Sequence, residues 1–395
     1  MPDLDLQTAQ RLIIATARPR PTESIPLAAS LDRVTALGVG ARLPVPHFDQ
    51  ALMDGFAITG HDLDRATDEL QLTIVGEIAA GRTHLPRLRP GQTLRIMTGG
   101  AVPHGAALII PQEECREQEG RLRVPFRPNR RNWIRARGEI LARGKVIVGK
   151  GELVRPEHLP LLATAGVSEI VVHQRPRAAV LSTGSELVEI GAAPDKGQVI
   201  SGNPLLLDGL IRHATNLPPT IGMVPDRPGR IIDQLTALLA QPVDVIITTG
   251  GMGPGRYDLL PRVFQEMGVE ILYRSLKIRP GKGTMAGVLG NTLLFALPGP
   301  PPAVRILFNE LVLPALKKIH GLKRVLPANR RAVLTREVRV KRNGLQHLLA
   351  GVQGSRENTT TVRPAAHGEP ADAIIVIPGR RRRVKAGELV CYHPA

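Results

Sequence analysis

Three acidic residues, Glu186, Asp226 and Asp258, each stand just past a short apolar run that reads as a strand: Ala178–Ser182, Thr220–Val224 and Val243–Thr248. The third run breaks at Thr249 into Gly250, Gly251, Gly253 and Gly255 before it reaches Asp258. A glycine-rich loop at the carboxyl end of a buried strand lets backbone N–H groups approach a phosphate without interference from Cβ atoms. Carboxylates beside such a loop would repel that phosphate unless a divalent cation bridged them, so magnesium is the expected ion. A tight turn and three separate helix caps are the plainer alternative. A second Gly/Pro stretch, Ile278–Gly283 (IRPGKG), precedes the apolar strand Thr292–Leu297 and the loop Pro298–Pro302 (PGPPP). It reads as the other wall of one anion-binding cleft and brings in Gly281, Lys282, Pro298 and Gly299. Upstream, Asp49 and Asp54 flank Leu52–Met53, and Gly55 allows a sharp turn. Asp54 on these grounds alone is a turn residue.

These residues need a sheet to hold them. From Arg177 on, strands alternate with helices: Asn203–Ala214 with Asn203 as a possible N-cap, Arg230–Leu239, Tyr257–Glu266 and Ala303–Leu313. Such alternation marks a parallel sheet with right-handed crossovers, which binds ligands beyond its strand ends. Before it, residues 60–142 read as all-β, with strands at Leu70–Glu77, Thr93–Met97, Ala107–Gln112 and Arg121–Val124, and Thr98 at the lip of a glycine turn. Helical signals at Asp5–Ala17, Leu31–Ala36 and Pro156–Ala165 flank this excursion, so the first domain is expected to be discontinuous. After Leu326 the chain reads as strands again: Ala332–Val340, Asn358–Arg363, Ala373–Ile377 and Glu388–His393. The expected division is 1–43 with 143–175, a small α/β domain; 44–142, an inserted β domain; 176–322, the parallel-sheet α/β domain; and 323–395, a C-terminal β-barrel.

With 395 residues the chain is too long for one core, in keeping with several domains. Its net charge is +17, and 14 basic against 5 acidic residues fall from Arg324 onward, a field that favours acidic ligands. A solvated basic surface is the bland reading, and Arg380–Arg383 reads as a hairpin loop. Ten aromatic residues leave little stacking surface for single-stranded nucleic acid. Cys115 and Cys391 fit no zinc spacing or disulfide framework. The start, MPDLDLQTAQ, has no signal-like apolar core, and no run approaches 18 apolar residues, so a soluble cytoplasmic protein is expected.

Taken together, MDGFA (Met53–Ala57), RIMTGGAVPHGA (Arg95–Ala106), RARGEIL (Arg135–Leu141), RPRAAVLSTGSELVEIG (Arg175–Gly191), TTGGMGPGRYD and RPGKGTMAGVLGNTLLFALPGPP resemble the molybdopterin molybdotransferases, the bacterial MoeA type and the gephyrin E domain. The resemblance runs end to end. It implies a four-part protomer in an elongated homodimer, with a molybdopterin-binding α/β domain, an inserted β domain and a C-terminal barrel. It further implies magnesium-dependent insertion of molybdate, or tungstate, into adenylylated molybdopterin with release of AMP, and dealings with a molybdopterin adenylyltransferase and with molybdoenzymes. By motif, Asp54, Thr98, Asp226 and Asp258 take catalytic roles, and Glu186, Asp226 and Asp258 hold the metal. Thr183, Gly184, Glu186, Thr249, Gly250, Gly251, Gly281, Lys282, Pro298 and Gly299 bind the pterin cofactor, with Arg256, Lys277 and Arg279 as further anion-binding candidates. Some positions depart from the family. Gly253-Pro254-Gly255-Arg256 replaces Ser-Val-Gly-Asp, and Pro300 replaces the asparagine of Pro-Gly-Asn-Pro. The stretches Gly344–Gly351 and Ala365–Ala373 lack the barrel arginine and serine expected to receive molybdate. A non-catalytic carrier, scaffold or regulator that binds the same pterin is the alternative.

Overall fold

A computed structural model describes residues 3–125, 131–252, 259–341 and 344–395. Its centre is a six-stranded sheet in the order Thr220–Val224, Ala178–Thr183, Val245–Thr249, Thr292–Leu297, Met285–Leu289, Glu270–Tyr273. The first four strands are mutually parallel. Met285–Leu289 runs antiparallel to both its neighbours, Thr292–Leu297 and Glu270–Tyr273, so the sheet is mixed rather than wholly parallel as expected. The reason is local: Met285–Leu289 and Thr292–Leu297 are joined by Gly290 and Asn291 alone, and two residues can only close an antiparallel hairpin.

Val245–Thr249 is buried at every position. Val245 and Ile247 face a core shared with helices Leu6–Thr16, Asn203–Thr215 and Pro301–Leu307, while Ile246 faces helices Pro228–Leu239 and Leu259–Glu266. Burial on both faces explains the unbroken apolar run. Truncating Ile247 to alanine in such a core costs about 2–5 kcal/mol. Leu6, Ala9 and Ile13 of the first helix lie in this core, although the helix belongs to the stretch grouped with the small domain by sequence. Asn203 is the first helical residue, not the cap; Gly202 occupies that position.

Across the inserted stretch, Thr22–Pro26 pairs with Glu169–His173. The helix expected at Leu31–Ala36 is absent. A 3₁₀ turn at Leu27–Ala29 is followed by extended backbone in which Val34 and Thr35 bridge Leu153 and Val172. Both residues are β-branched, and the Thr35 hydroxyl donates to Gly149 O at 2.6 Å, which favours the extended form. The inserted stretch itself forms a six-stranded sheet ordered Ala106–Pro111, Gly55–Thr59, Gln92–Ile96, Glu69–Ile78, Arg121–Pro125, Arg116–Gln118.

At the C-terminal end Arg330–Leu334, Leu389–Pro394, Ala373–Ile377, Gln346–Arg356 and Thr359–Pro364 pair in a ring that closes a five-stranded barrel. The expected strand Ala332–Val340 is broken into Arg330–Leu334 and Val338–Arg339. Of the four consecutive arginines, Arg381 pairs with Glu388 at 2.6 Å and Arg383 with Glu337 at 2.5 Å. Several contacts among the described residues tie barrel to sheet domain, Arg305 to Ala371 O among them. Ile278–Arg279 lies parallel against Gln346–His347. Beneath it runs a buried chain: Gln10 donates to Glu310 Oε2 at 3.3 Å, Glu310 Oε1 meets His393 Nδ1 at 2.6 Å, and His393 Nε2 meets Asn329 Oδ1 at 2.9 Å. Glu310 sits in a π-helical turn, Phe308–Val312. No helix among the described residues is long and apolar enough to cross a membrane.

Candidate active site

Three adjacent parallel strands, Ala178–Thr183, Val245–Thr249 and Thr292–Leu297, end level with one another, because Ser182 pairs with Thr249 and Thr249 with Leu297. Their loops therefore bring Gly184, Gly250, Gly251, Pro298 and Gly299 to one edge of the sheet. The Ser182 and Thr249 hydroxyls are 3.1 Å apart, and the Gly250 N–H donates to Leu297 O at 3.1 Å. Gly250 has φ +95°, and a Cβ there would collide with the carbonyl oxygen of Thr183. Only glycine fits that close crossing. The loop leading into Met285–Leu289 joins the same edge, since a Cβ on Gly283 would lie 3.2 Å from Met252 O.

Glu186 and Asp226 are brought together. The Glu186 carboxylate folds back over Gly184, its oxygens 2.9 Å from where a Cβ would stand. The Asp226 N–H donates to Ser185 Oγ at 3.1 Å, which draws the two strand-end loops into contact. Burial, and then the charge of Glu186, push the Asp226 carboxyl above its usual range. Asp226 Oδ1 is buried with no hydrogen-bond partner. An unpaired carboxylate oxygen beside a second carboxylate is electrostatically unfavourable until a cation reaches it. Asp258 and Arg256 lie outside the described residues.

Other expected residues fall elsewhere. Lys282 Nζ stands 3.8 Å from Asp3 Oδ2, an ion pair with the N-terminal segment. Gly281 is required by packing, since a Cβ there would press on Leu307. Lys277 and Arg279 are exposed residues of the strand segment that borders the barrel. Asp54 Oδ1 accepts from the Thr98 N–H at 2.6 Å and the Thr98 hydroxyl at 2.7 Å. These bonds hold its carboxyl below the usual range, so its partner is distant in sequence rather than a local turn. Gly55 starts a strand instead of a turn; a side chain there would strike Ile110 O. Among the described residues no hydrogen bond or ion pair joins the Asp54–Thr98 pair to Glu186 or Asp226.

Sequence reasoning missed two contributors. Asn203 Nδ2 donates to Gly299 O at 2.7 Å, while its Oδ1 is buried without a partner. Its only sequence signal was a polar residue at a helix start, which also reads as a cap. Against helix Pro301–Leu307 lies a cavity of about 640 Å3 whose walls include Leu206, Arg305, Asn309, His367 and Glu369. The stretch Ala365–Ala373 thus faces side chains that sequence comparison of the barrel alone did not supply. Just before that stretch, Arg363 of strand Thr359–Pro364 grips Glu369 at 2.5 and 2.7 Å, pulling that carboxyl down to about 2.

Comparison with known proteins follows the same lines. Residues 4–166 match the family profile described as the MoeA N-terminal region (domain I and II), and residues 179–318 match a probable molybdopterin binding domain. A molybdopterin molybdenumtransferase of Nostoc sp. is 30% identical over 306 residues, covering 76% of this chain and 70% of that protein. One from Haemophilus influenzae is 28% identical, covering 98% and 97%. In fold the chain is similar to the molybdopterin biosynthesis MoeA protein of Pyrococcus horikoshii, with a TM-score of 0.87 at 24% identity over 100% and 99% of the two chains. With the two profiles together covering most of its length and a relative 30% identical over 76% of it, the chain belongs to the MoeA-type molybdopterin molybdenumtransferase family, a family of transferases.

Proposed function

We propose that the protein inserts molybdate, or tungstate, into adenylylated molybdopterin with magnesium and releases AMP. The observation that carries this reading is the buried, unpartnered Asp226 Oδ1 beside Glu186, at the strand-end edge where the glycine and proline loops meet. Hard carboxylate oxygens suit Mg2+, which takes one or two carboxylates and fills its remaining positions with water and substrate oxygens. When bound, the ion would offset the negative charge of the phosphoanhydride and of both carboxylates.

The protein's own groups do the rest. Gly250 and Gly251 let the chain turn tightly at the strand end with no Cβ between backbone and ligand, and Asn203 fixes the Gly299 carbonyl so that its loop keeps its shape. Positioning and charge neutralisation suffice for opening a phosphoanhydride, and no covalent nucleophile is needed. Arg305 and His367, at the barrel-side cavity, are suited to receive the oxyanion. Asp54, held ionised by Thr98, belongs to the inserted domain; in a homodimer that domain reaches the partner's strand-end site. An adenylyltransferase that supplies the nucleotide and a molybdoenzyme that accepts the product are the matching partners.

The experiment is turnover of purified protein with adenylylated molybdopterin, magnesium and molybdate or tungstate, followed by AMP release. AMP release that depends on both oxyanion and magnesium supports the proposal. Tight pterin binding without AMP release would replace it with a carrier or regulator.

A further inference from the structure

The segment that leaves helix Leu313–Ile319 and enters the barrel does not lie flat on that helix. Asn309, Leu313 and Lys317, four residues apart along one face, form one wall of a cavity of about 650 Å3. Residues 323–328, with Pro394 of the last barrel strand, form the other wall. Three of the lining residues, Lys317, Lys323 and Arg324, are cationic, and among the described residues none of the lining side chains is a carboxylate. Burial alone draws the Lys317 pKa down, and no acid counters it. The neighbouring carboxylate, Glu310, is already committed to His393 and Gln10. Apart from Asn309, the rest of the described lining is apolar. Small-molecule sites combine this size and apolar lining with a few placed polar groups, and a half-buried cation without a counter-ion gains from an anion.

The place of the cavity gives it a role. Lys317 lies 16 residues beyond Pro301, or about 24 Å along the helix axis from the strand-end loops. This is therefore a second site. Asn309 lines both this cavity and the barrel-side cavity of Arg305 and His367; Pro394 lines the first and Ala395 the second.

We propose that this hinge cavity binds an organic phosphate, an apolar body carrying a phosphate head, and that its occupancy sets how the barrel seats on the sheet domain. A phosphate held between Lys317 on the helix and Lys323 and Arg324 on the linker binds more tightly when the linker is drawn in. That difference in affinity is what shifts the hinge. The inference does not rest on the transferase reading.

AMP and inorganic phosphate serve as probes on the full chain, with calorimetry for affinity and amide hydrogen exchange for location. AMP is expected to slow exchange in residues 321–329. Lys317→Gln and Arg324→Gln should each weaken that effect roughly tenfold, since each removes a charge-assisted contact, and Lys317→Arg should restore it. Inorganic phosphate should bind at least about tenfold more weakly, lacking the apolar body. Asp226→Asn, which disables the strand-end site, should leave the hinge protection intact, so failure of the transferase reading would not touch this one. Absence of protection at 321–329, protection that survives both Lys317→Gln and Arg324→Gln, or phosphate binding as tight as AMP would overturn the proposal.

Discussion

At Asp226 function and stability pull in opposite directions. Its carboxyl sits above the ordinary value of 3.8 because of burial and then Glu186, so the folded chain holds that proton more tightly than the unfolded chain. The contribution to stability is therefore fully present below pH 3.8 and is lost as pH rises through the raised value. Asp226→Asn removes the penalty. Without magnesium the variant should melt roughly 2 °C above the wild type at neutral pH and level with it in acid below the unfolded pKa. Millimolar magnesium should raise the wild-type Tm and leave the variant unmoved, while AMP release falls by about 10²–10³. Calorimetry across pH, with and without magnesium, checks both signs. A variant less stable than wild type at neutral pH would mean that Asp226 is held by contacts other than an awaited cation.

The strand-end loops separate two uses of glycine. Gly250, at φ +95°, has the Thr183 carbonyl where a Cβ would go, whereas a Cβ on Gly299 meets nothing within 4 Å. Gly250→Ala should therefore cost about 3 kcal/mol or more, through strain and collision, and lower activity by disordering the loop. Gly299→Ala should unfold like the wild type in urea, so any rise in its KM reports crowding of the ligand; a large loss of stability in Gly299→Ala would refute that distinction. The same elements show what sequence could reveal. Ala178–Thr183, Val245–Thr249 and Thr292–Leu297 were legible because strands buried on both faces leave unbroken apolar runs ended by glycine or proline. The barrel strand Gln346–Arg356 was not, because Gly351 and Gly354 interrupt its pattern. Gly351 is small for packing reasons, since a Cβ there would lie 2.8 Å from Ile375, a contact invisible before the barrel closes. Within the candidate site, types and spacing pointed to Glu186 and Asp226, which the fold brings together. They could not show that Asp54 is held by Thr98, 44 residues away, or that Lys282 answers to Asp3.

At the scale of the whole molecule, the barrel must keep its place if Arg305 and His367 are to face an oxyanion. The buried chain Gln10–Glu310–His393–Asn329 is built for that, because its members come from the first helix, the π-helical turn, the last barrel strand and the linker. Glu310 has no solvent exposure, so its side-chain oxygens take their hydrogen bonds from these partners rather than from water. Removing one member of such a pair leaves the other buried and uncompensated, at about 3–5 kcal/mol. His393→Ala should therefore cost about that much, and Glu310→Gln, which keeps a hydrogen-bonding group, clearly less. In the double variant Glu310→Gln/His393→Ala the losses should not add, since Glu310→Gln removes the buried carboxylate that His393→Ala alone would strand. Amide exchange should rise in Leu389–Pro394 and in residues 321–329 while Val245–Thr249 stays protected. Uniform loss of protection across the sheet strands would show that the chain supports the whole fold rather than the seat of the barrel. Retained sheet protection with reduced turnover would tie barrel placement to catalysis.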